Sequence, residues 1–76
     1  MRAYILIQTE PGQLARIAGE ISQVKGVKAV SALTGPYDAI AEAEARSLDD
    51  LTGHVLRPIQ ALAGVTRTLT CPVVRL

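Results

Sequence analysis

The chain opens with a segment whose apolar side chains fall at both odd and even positions. In RAYILIQ (Arg2–Gln8) both faces of an extended strand carry apolar residues, which is typical of a strand covered on both sides. Pro11 then suits the first turn of a helix, because its φ is fixed and an N–H has no intrahelical partner there. The apolar residues that follow at helical spacing are Leu14, Ile17, Ala18, Ile21 and Val24. With Gly26 as a C-terminal stop, we predict a strand and then a helix over Pro11–Lys25.

The middle of the chain indicates two further strands. VKAVSALT (Val27–Thr34) is rich in small and β-branched residues and is ended by Gly35 and Pro36. AIAEAEA (Ala39–Ala45) contains good helix formers but alternates with a strict period of two. A turn signal precedes this segment and a helix start follows it, so we predict a third strand here.

A second helix follows the third strand. Ser47 with Asp50 three residues later is a variant of the capping box that marks helix starts. An apolar stripe then runs over Leu48–Ala63, through Leu48, Leu51, Val55, Ile59 and Leu62. Because Pro58 lies inside this helix, we expect a kink, or a break and restart, near Arg57.

The two halves of the chain repeat one another. Gly64 ends the second helix as Gly26 ends the first, and a valine and a strand follow each glycine. The last strand is VTRTLTCPVVRL (Val65–Leu76), which Pro72 confines to a sheet edge or a bulge. A strand, a helix and a strand, twice over, form the split βαβ repeat of ferredoxin-like folds. We therefore predict a single α+β domain over residues 1–76, a βαββαβ sandwich with two helices on one face of a four-stranded antiparallel sheet.

Right-handed crossovers place strands one and three in the middle of that sheet and strands two and four at its edges. On strand three the helix-facing residues are then Ala39, Ala41, Ala43 and Ala45, and the open-face residues are Ile40, Glu42 and Glu44. Tyr4 and Leu6 share the open face, and antiparallel pairing brings its acidic positions close to Arg2. Leaving this apolar centre in water forgoes burial worth about 25 cal/mol per Å². We predict that a second copy of the sheet covers it.

Length and composition also favour self-association. The core of a domain below about 80 residues rarely supplies more than about 3–5 kcal/mol, so a chain of 76 residues is expected to need a further source of stability. The single cysteine, Cys71, and the single histidine, His54, exclude an internal disulfide and a conventional Cys/His metal site. A hydrophobic fraction of 49% fits a chain that buries one face on itself and another on a neighbour.

Charge and hydropathy argue against other partners. The net charge is +1, from 8 Lys and Arg against 7 Asp and Glu, and no basic run occurs, so direct nucleic-acid binding is not expected. Two Tyr and no other aromatic residue provide no base-stacking platform. No apolar run reaches the roughly 18 residues of a membrane span, and Ala3–Ile7 is too short for a signal peptide. We expect a cytoplasmic protein without membrane contact.

Few side chains in the chain are suited to catalysis. His54 lies beside the apolar stripe of the second helix and is expected to be a solvated boundary residue, and Cys71 to be a small apolar residue of a strand. The acids, which fit helix-dipole or surface roles better than a catalytic pair, are Asp49, Asp50, Glu42 and Glu44. Neither a glycine-rich phosphate loop nor Cys-x-x-Cys occurs. We predict no enzymatic activity, no catalytic residue, no metal and no cofactor.

The segment TGPYD (Thr34–Asp38) is the strongest candidate for a binding site. A plain turn accounts for Gly35 and Pro36, but less readily for Tyr37 and Asp38 at the mouth of the third strand. Backbone N–H groups of a glycine loop can hold a carboxylate, and a neighbouring aspartate can hold an ammonium group. Together they suit the zwitterionic end of an amino acid.

The order of these motifs resembles a known family. A Gly-Val step, a strand, TGPYD, a strand, a leucine-spaced helix and GVTRTLT (Gly64–Thr70) are similar to the RAM domain, the effector-binding half of Lrp/AsnC transcription regulators. The resemblance covers essentially the whole chain. It implies a ferredoxin-like fold, dimers formed by packed sheets, and assembly of dimers into larger rings.

The resemblance also implies a site and partners. Small effectors, commonly amino acids, bind between dimers near the loop after the second strand, and the positions carried over are Gly35, Tyr37, Asp38, Thr66, Thr68 and Thr70. The family's regulators place a helix-turn-helix before this domain, whereas the first strand here starts at Arg2. We therefore expect a stand-alone sensing and oligomerisation module that changes its own assembly on binding effector or joins a full-length Lrp/AsnC regulator.

Two alternatives remain open at this stage. A small dimeric ferredoxin-like enzyme would need polar groups in a cavity between sheet and helices. A purely structural oligomerisation domain would bind no ligand.

Overall fold

A computed structural model describes residues 1–76 and confirms the predicted α+β, ferredoxin-like architecture. The strands are β1 (Arg2–Thr9), β2 (Val27–Ala32), β3 (Ala39–Glu44) and β4 (Val65–Pro72). The helices are α1 (Leu14–Ser22), α2 (Leu48–Asp50) and α3 (Arg57–Gln60), and a π-helical segment (Leu51–Leu56) joins the last two. These three consecutive segments are called the second helix below.

The strands form one antiparallel sheet in the order β2-β3-β1-β4. The prediction that strands one and three are central and that Pro72 lies on an edge strand is confirmed. Leu6 pairs with Ile40 and Tyr4 with Glu42, so these four side chains share one face, as the alternation predicts.

The opposite face of the sheet packs against the helices and forms the core. Its eleven buried residues are all apolar: Ala3, Ile5, Ile7, Ile17, Ile21, Ala39, Ala41, Ala43, Leu51, Val55 and Ile59. The small alanines of β3 let the helices approach the middle of the sheet, and the isoleucines of β1 and α1 fill the space around them. No polar side chain is buried in this layer.

Several predicted boundaries are too wide. The first helix begins at Leu14 rather than Pro11, because Pro11 and Gly12 form a turn in which Gly12 has a φ of +80°. It ends at Ser22, before Lys25. The second and fourth strands end at Ala32 and Pro72 rather than at Thr34 and Leu76.

We expected a kink, or a break and restart, near Arg57, and the second helix instead continues through Pro58 with a change of helix type at Arg57. The segment Leu51–Leu56 adopts the wider π-helical turn, and the N–H of Arg57 donates to the carbonyl of Thr52, five residues back. This change of hydrogen-bond pattern just before the proline accommodates a residue that has no N–H to donate. Leu48, predicted to belong to the buried stripe, is 57% exposed. None of these helices combines the length and the apolar character that spanning a bilayer requires.

The two Gly-Val steps play equivalent structural roles, which confirms the repeat seen in the sequence. Gly26 and Gly64 have φ values of +99° and +94°, and the carbonyl of each accepts a hydrogen bond of 2.8 Å, from the N–H of Glu44 and of Glu10 respectively. A Cβ at Gly26 would lie 2.9 Å from Val55 Cγ2 of the second helix. A Cβ at Gly64 would lie 2.9 Å from the Cδ1 atom of Ile17, in the first helix. Each helix is thus packed against the glycine that ends the other.

Candidate functional site

Three turns converge where β1 ends and β3 begins. They are the end of β1 at Thr9 and Glu10, the TGPYD loop between β2 and β3, and the turn at Gly64 that leads into β4. Arg16 of α1 holds the turn at Gly64 in place, since its Nη2 donates to the carbonyl of Ala63 at 2.7 Å. We call this region the loop end of the sheet.

Asp38 ties the TGPYD loop to β1. Its N–H donates to the carbonyl of Ile7 at 2.9 Å, and its own carbonyl accepts from the N–H of Leu33 at 2.9 Å. Its Oδ2 accepts from the N–H of Thr9 at 2.8 Å and from the Thr9 hydroxyl at 3.4 Å. The pairing of β1 with β4 shifts register between Gln8 and Thr9, so the carboxylate provides the acceptor for a backbone donor at this irregularity.

The same loop presents groups that have no partner within the protein. The N–H groups of Thr34, Gly35 and Tyr37 donate to no other group of the chain. Both side-chain contacts of Asp38 use Oδ2, so Oδ1 accepts no hydrogen bond, and the hydroxyl of the half-buried Tyr37 has no partner either. The loop therefore combines free backbone donors, which suit a carboxylate, with a free carboxylate oxygen, which suits an ammonium group.

The candidate threonines of β4 lie apart from this loop within one chain. Thr68 pairs with Ile7 and Thr70 with Ile5, so both share the helix-facing side of the sheet, and β1 lies between them and the loop. The hydroxyl of Thr68 accepts from Gln60 Nε2 at 3.0 Å. Thr66 is exposed at the loop end, while Thr70 lies further along the strand. The structure thus brings Gly35, Tyr37 and Asp38 together but separates the three threonines from them by one strand.

Two residues of β1 support the loop and were not selected from the sequence. Gln8 Nε2 donates to the carbonyl of Pro36 at 2.7 Å, and Thr9 binds Asp38 as described. Their polar character directly after the apolar run of β1 was the only available signal. Nothing local to Gln8 or Thr9 indicates that residues 28 and 29 positions away become their partners.

A second candidate surface is the open face of the sheet, where charge is balanced at one end. Arg2 Nη2 donates to Glu42 Oε1 at 3.2 Å and to the Tyr4 hydroxyl at 3.1 Å, and the same hydroxyl donates to Glu42 Oε1 at 3.1 Å. The hydrogen bond from Arg2 to Glu42 raises the pKa of Arg2 above its usual value. The predicted approach of Arg2 to the acidic positions is confirmed.

The centre of the open face is apolar. Ile40, Leu6 and Leu69 form one row across β3, β1 and β4, and Leu69 is 45% exposed. The next row includes Cys71 beside Tyr4, and the thiol is exposed. A continuous apolar strip with a neutralised ion pair at its end is suited to burial against another apolar surface.

His54 and the start of the second helix form a separate polar cluster. The Ser47 side chain accepts from the N–H of Asp50 at 3.1 Å, as the capping box predicts, but Asp50 Oδ2 accepts from the N–H of Arg46 rather than of Ser47. Asp50 Oδ1 contacts Nδ1 of His54, which is 77% exposed. The hydrogen bond with His54, followed by that from Arg46, lowers the pKa of Asp50.

Comparison with solved structures identifies several that share this fold. TTHA0845 from Thermus thermophilus is 29% identical, with 99% of this chain and 94% of that chain covered and a TM-score of 0.91. The E. coli AsnC structure is 20% identical. The match covers 99% of this chain and 54% of the AsnC chain, with a TM-score of 0.84. The transcriptional regulator NMB0573 from Neisseria meningitidis, solved as an L-Met complex, is 22% identical. The match covers 97% of this chain and 49% of the regulator, with a TM-score of 0.84.

The present chain thus matches nearly all of the first structure and about half the length of the two regulators. No curated protein matches it at a significant level. The family model described as the Lrp/AsnC ligand-binding domain matches residues 2–76. The chain therefore belongs to the Lrp/AsnC ligand-binding domain family, and its role is that of an effector-binding domain.

Proposed function

We propose that this domain binds a small amino-acid-like effector at the loop end of the sheet. The observation that carries the proposal is the pairing of three free amides, at Thr34, Gly35 and Tyr37, with the free Oδ1 of Asp38. The amides hold the α-carboxylate of the effector and Oδ1 holds its α-ammonium group. That a regulator with the same fold was solved as an L-Met complex supports an amino acid as the ligand class.

In this proposal β4 of an adjacent subunit completes the site with three threonines, Thr66, Thr68 and Thr70. Within one chain β1 separates them from the loop, by about 5 Å for each intervening strand. A neighbouring copy that places its β4 against the TGPYD loop removes that separation. The effector then contacts two chains and shifts the equilibrium between assemblies, because it binds one arrangement better than the other.

The proposal includes a homodimer formed through the open face, with dimers joining into higher oligomers. Burying the row formed by Ile40, Leu6 and Leu69 against a second copy contributes about 25 cal/mol for each Å² of apolar surface removed from water. The ion pair of Arg2 with Glu42 enters such an interface already hydrogen-bonded, which limits the desolvation cost. The same face allows the domain to join a full-length Lrp/AsnC regulator.

Thermal-shift measurements with the common amino acids test the ligand class. A true effector present at 100 times its Kd adds about 2.7 kcal/mol to the free energy of unfolding. For each amino acid that stabilises the domain, the matched controls are the decarboxylated amine and the N-acetyl derivative. Both are expected to lose the effect, since each lacks one of the two groups that the loop recognises. No shift with any amino acid would contradict the proposal and favour a purely structural oligomerisation domain.

Sedimentation analysis of Leu6→Glu tests the assembly. The substitution places an uncompensated charge in the apolar row and is expected to convert dimers to monomers. Ala15→Glu, on the exposed surface of α1, introduces the same charge away from the open face and should leave the mass unchanged. Mixing the wild-type domain with a full-length regulator should give a heterocomplex that Leu6→Glu cannot form. A monomeric wild-type protein at micromolar concentration would contradict this part of the proposal.

A further inference from the structure

The end of the sheet opposite the TGPYD loop contains a second concave region that lies outside the proposed effector site. It is a cleft of about 740 Å³ between the start of β1, the start of β2, the end of β3 and the second helix. The backbone of Gly26, packed closely against Val55 and Glu44, lies at its wall. The volume falls within the range of small-molecule sites, about 300–1,000 Å³.

The lining of this cleft is polar and carries an excess of positive charge. Only three of its eleven lining residues are hydrophobic. Four of the eight Lys and Arg of the chain line it, but only two of the seven acids. These residues are Arg2, Lys25, Lys28 and Arg46, with Glu44 and Asp50. The rest of the chain therefore carries a net negative charge, and the cleft concentrates the positive potential of the molecule.

Three of the four cations of the cleft are weakly neutralised by their neighbours, whereas Arg2 is paired with Glu42 at 3.2 Å. Lys28 Nζ lies 4.0 Å from Glu44 Oε2, and Arg46 Nε lies 3.8 Å from Asp50 Oδ2, both at the limit of an ion pair. Arg46 is 92% exposed, and Lys25 has no carboxylate partner. The closer side-chain contact of Asp50 is with His54 rather than with the guanidinium of Arg46.

We infer that this cleft binds a small multivalent oxyanion, the phosphoryl groups of a metabolite, at a site distinct from the amino-acid site. A ligand with more than one negative charge suits this cleft better than a single carboxylate does, because Lys25, Lys28 and Arg46 have flexible stems, come from separate segments of the chain and lack strong local partners. An amino-acid zwitterion carries no net charge and gains little from this surplus. The domain thereby responds to two chemically different ligands, at opposite ends of one sheet.

Calorimetric titration with inorganic pyrophosphate tests the inference. The wild-type domain is expected to bind one pyrophosphate per chain at low ionic strength. Lys25→Gln with Lys28→Gln removes two charges from the cleft and should weaken binding about tenfold or more. The matched control, Arg57→Gln with Arg67→Gln, removes the same charge outside the cleft and should bind as wild type. Asp38→Asn should also leave pyrophosphate affinity unchanged, which separates this site from the loop end.

Each contrary result overturns the inference. No binding by the wild type shows that the cleft has no affinity for phosphoryl groups. Equal weakening in the two double variants shows that binding follows the total charge rather than the cleft. A change of sedimentation in the cleft variant with unchanged pyrophosphate affinity assigns the basic residues to contacts between chains. Thermal unfolding of both variants establishes that they are folded, since all four substituted side chains are exposed.

Discussion

A pair of substitutions can separate the structural contact of Asp38 with Thr9 from the effector-binding role that we propose for the same carboxylate. Asp38→Ala removes the acceptor for the Thr9 N–H, and a donor left without a partner costs about 1–3 kcal/mol. This loss is a large share of the total stability, since the core of a domain of this size rarely supplies more than about 3–5 kcal/mol. Asp38→Asn keeps an oxygen acceptor in place but loses the charge assistance, so we expect a loss of less than about 1 kcal/mol.

The effect of Asp38→Asn on effector affinity should be larger than its effect on stability. The neutral amide of Asp38→Asn cannot stabilise an ammonium group, and a charge pair near the surface is worth about 1–4 kcal/mol at 4 Å. We therefore expect the Kd for the effector to rise at least about fivefold while the fold is retained. Urea unfolding without ligand measures the first role, and calorimetric titration with the effector measures the second.

Two results would refute this reasoning. If both variants lost the same stability, the hydrogen bond to Thr9 would not be what Asp38 contributes to the fold. If Asp38→Asn bound the effector with wild-type affinity, the carboxylate would not hold the ammonium group. The effector site would then depend on the amides of the loop alone.

Three further predictions concern the rest of the domain. Gly64→Ala should lower the free energy of unfolding, measured in urea, by about 2–4 kcal/mol, because it combines a left-handed backbone with a Cβ that collides with the first helix. Gly19→Ala, on the exposed side of α1, should raise the same free energy by about 0.5–1 kcal/mol. Wild-type stability for Gly64→Ala would contradict the packing described. The pKa of Asp50 is lowered in the folded state, so its stabilising effect is present above its unfolded pKa of about 3.9 and is lost as the pH falls through the lower folded value. Asp50→Asn should therefore be less stable than wild type at pH 7 and equally stable in strong acid, and a difference independent of pH would rule out this linkage. Cys71 is exposed in one chain, so in the proposed dimer, where a second sheet would cover it, its reaction with a thiol reagent should slow as the protein concentration rises; a constant rate argues against that interface.

The sheet was predictable because its information is local and periodic. Alternation along β3 assigns Ala41 to the core and Glu42 to the open face, and the pairing with β1 follows from the crossover rule. The glycine stops were equally informative, because Gly26 and Gly64 need positive φ values where the chain leaves each helix.

The second helix and the loop were less predictable, for a different reason. Pro58 signals a disturbance, but the choice between a kink, a break and a π-helical turn depends on how Leu51, Val55 and Ile59 are held against the sheet. The partner of Asp38 depends on a register shift at Thr9, which arises from the pairing of β1 with β4 rather than from nearby residues. Such long-range contacts leave no periodic signal in one sequence.

The strand order has a consequence for how the chain acquires its structure. β1 and β2 belong to the first half of the repeat and β3 and β4 to the second, yet in the order β2-β3-β1-β4 every strand pairs only with strands of the other half. Neither half can therefore form a sheet by itself, and one hydrogen-bonding edge of β1 stays unpaired until residues about 60 positions later have been synthesised. Folding should occur in one cooperative transition, slowly for a chain of this length, with no stable half-domain intermediate.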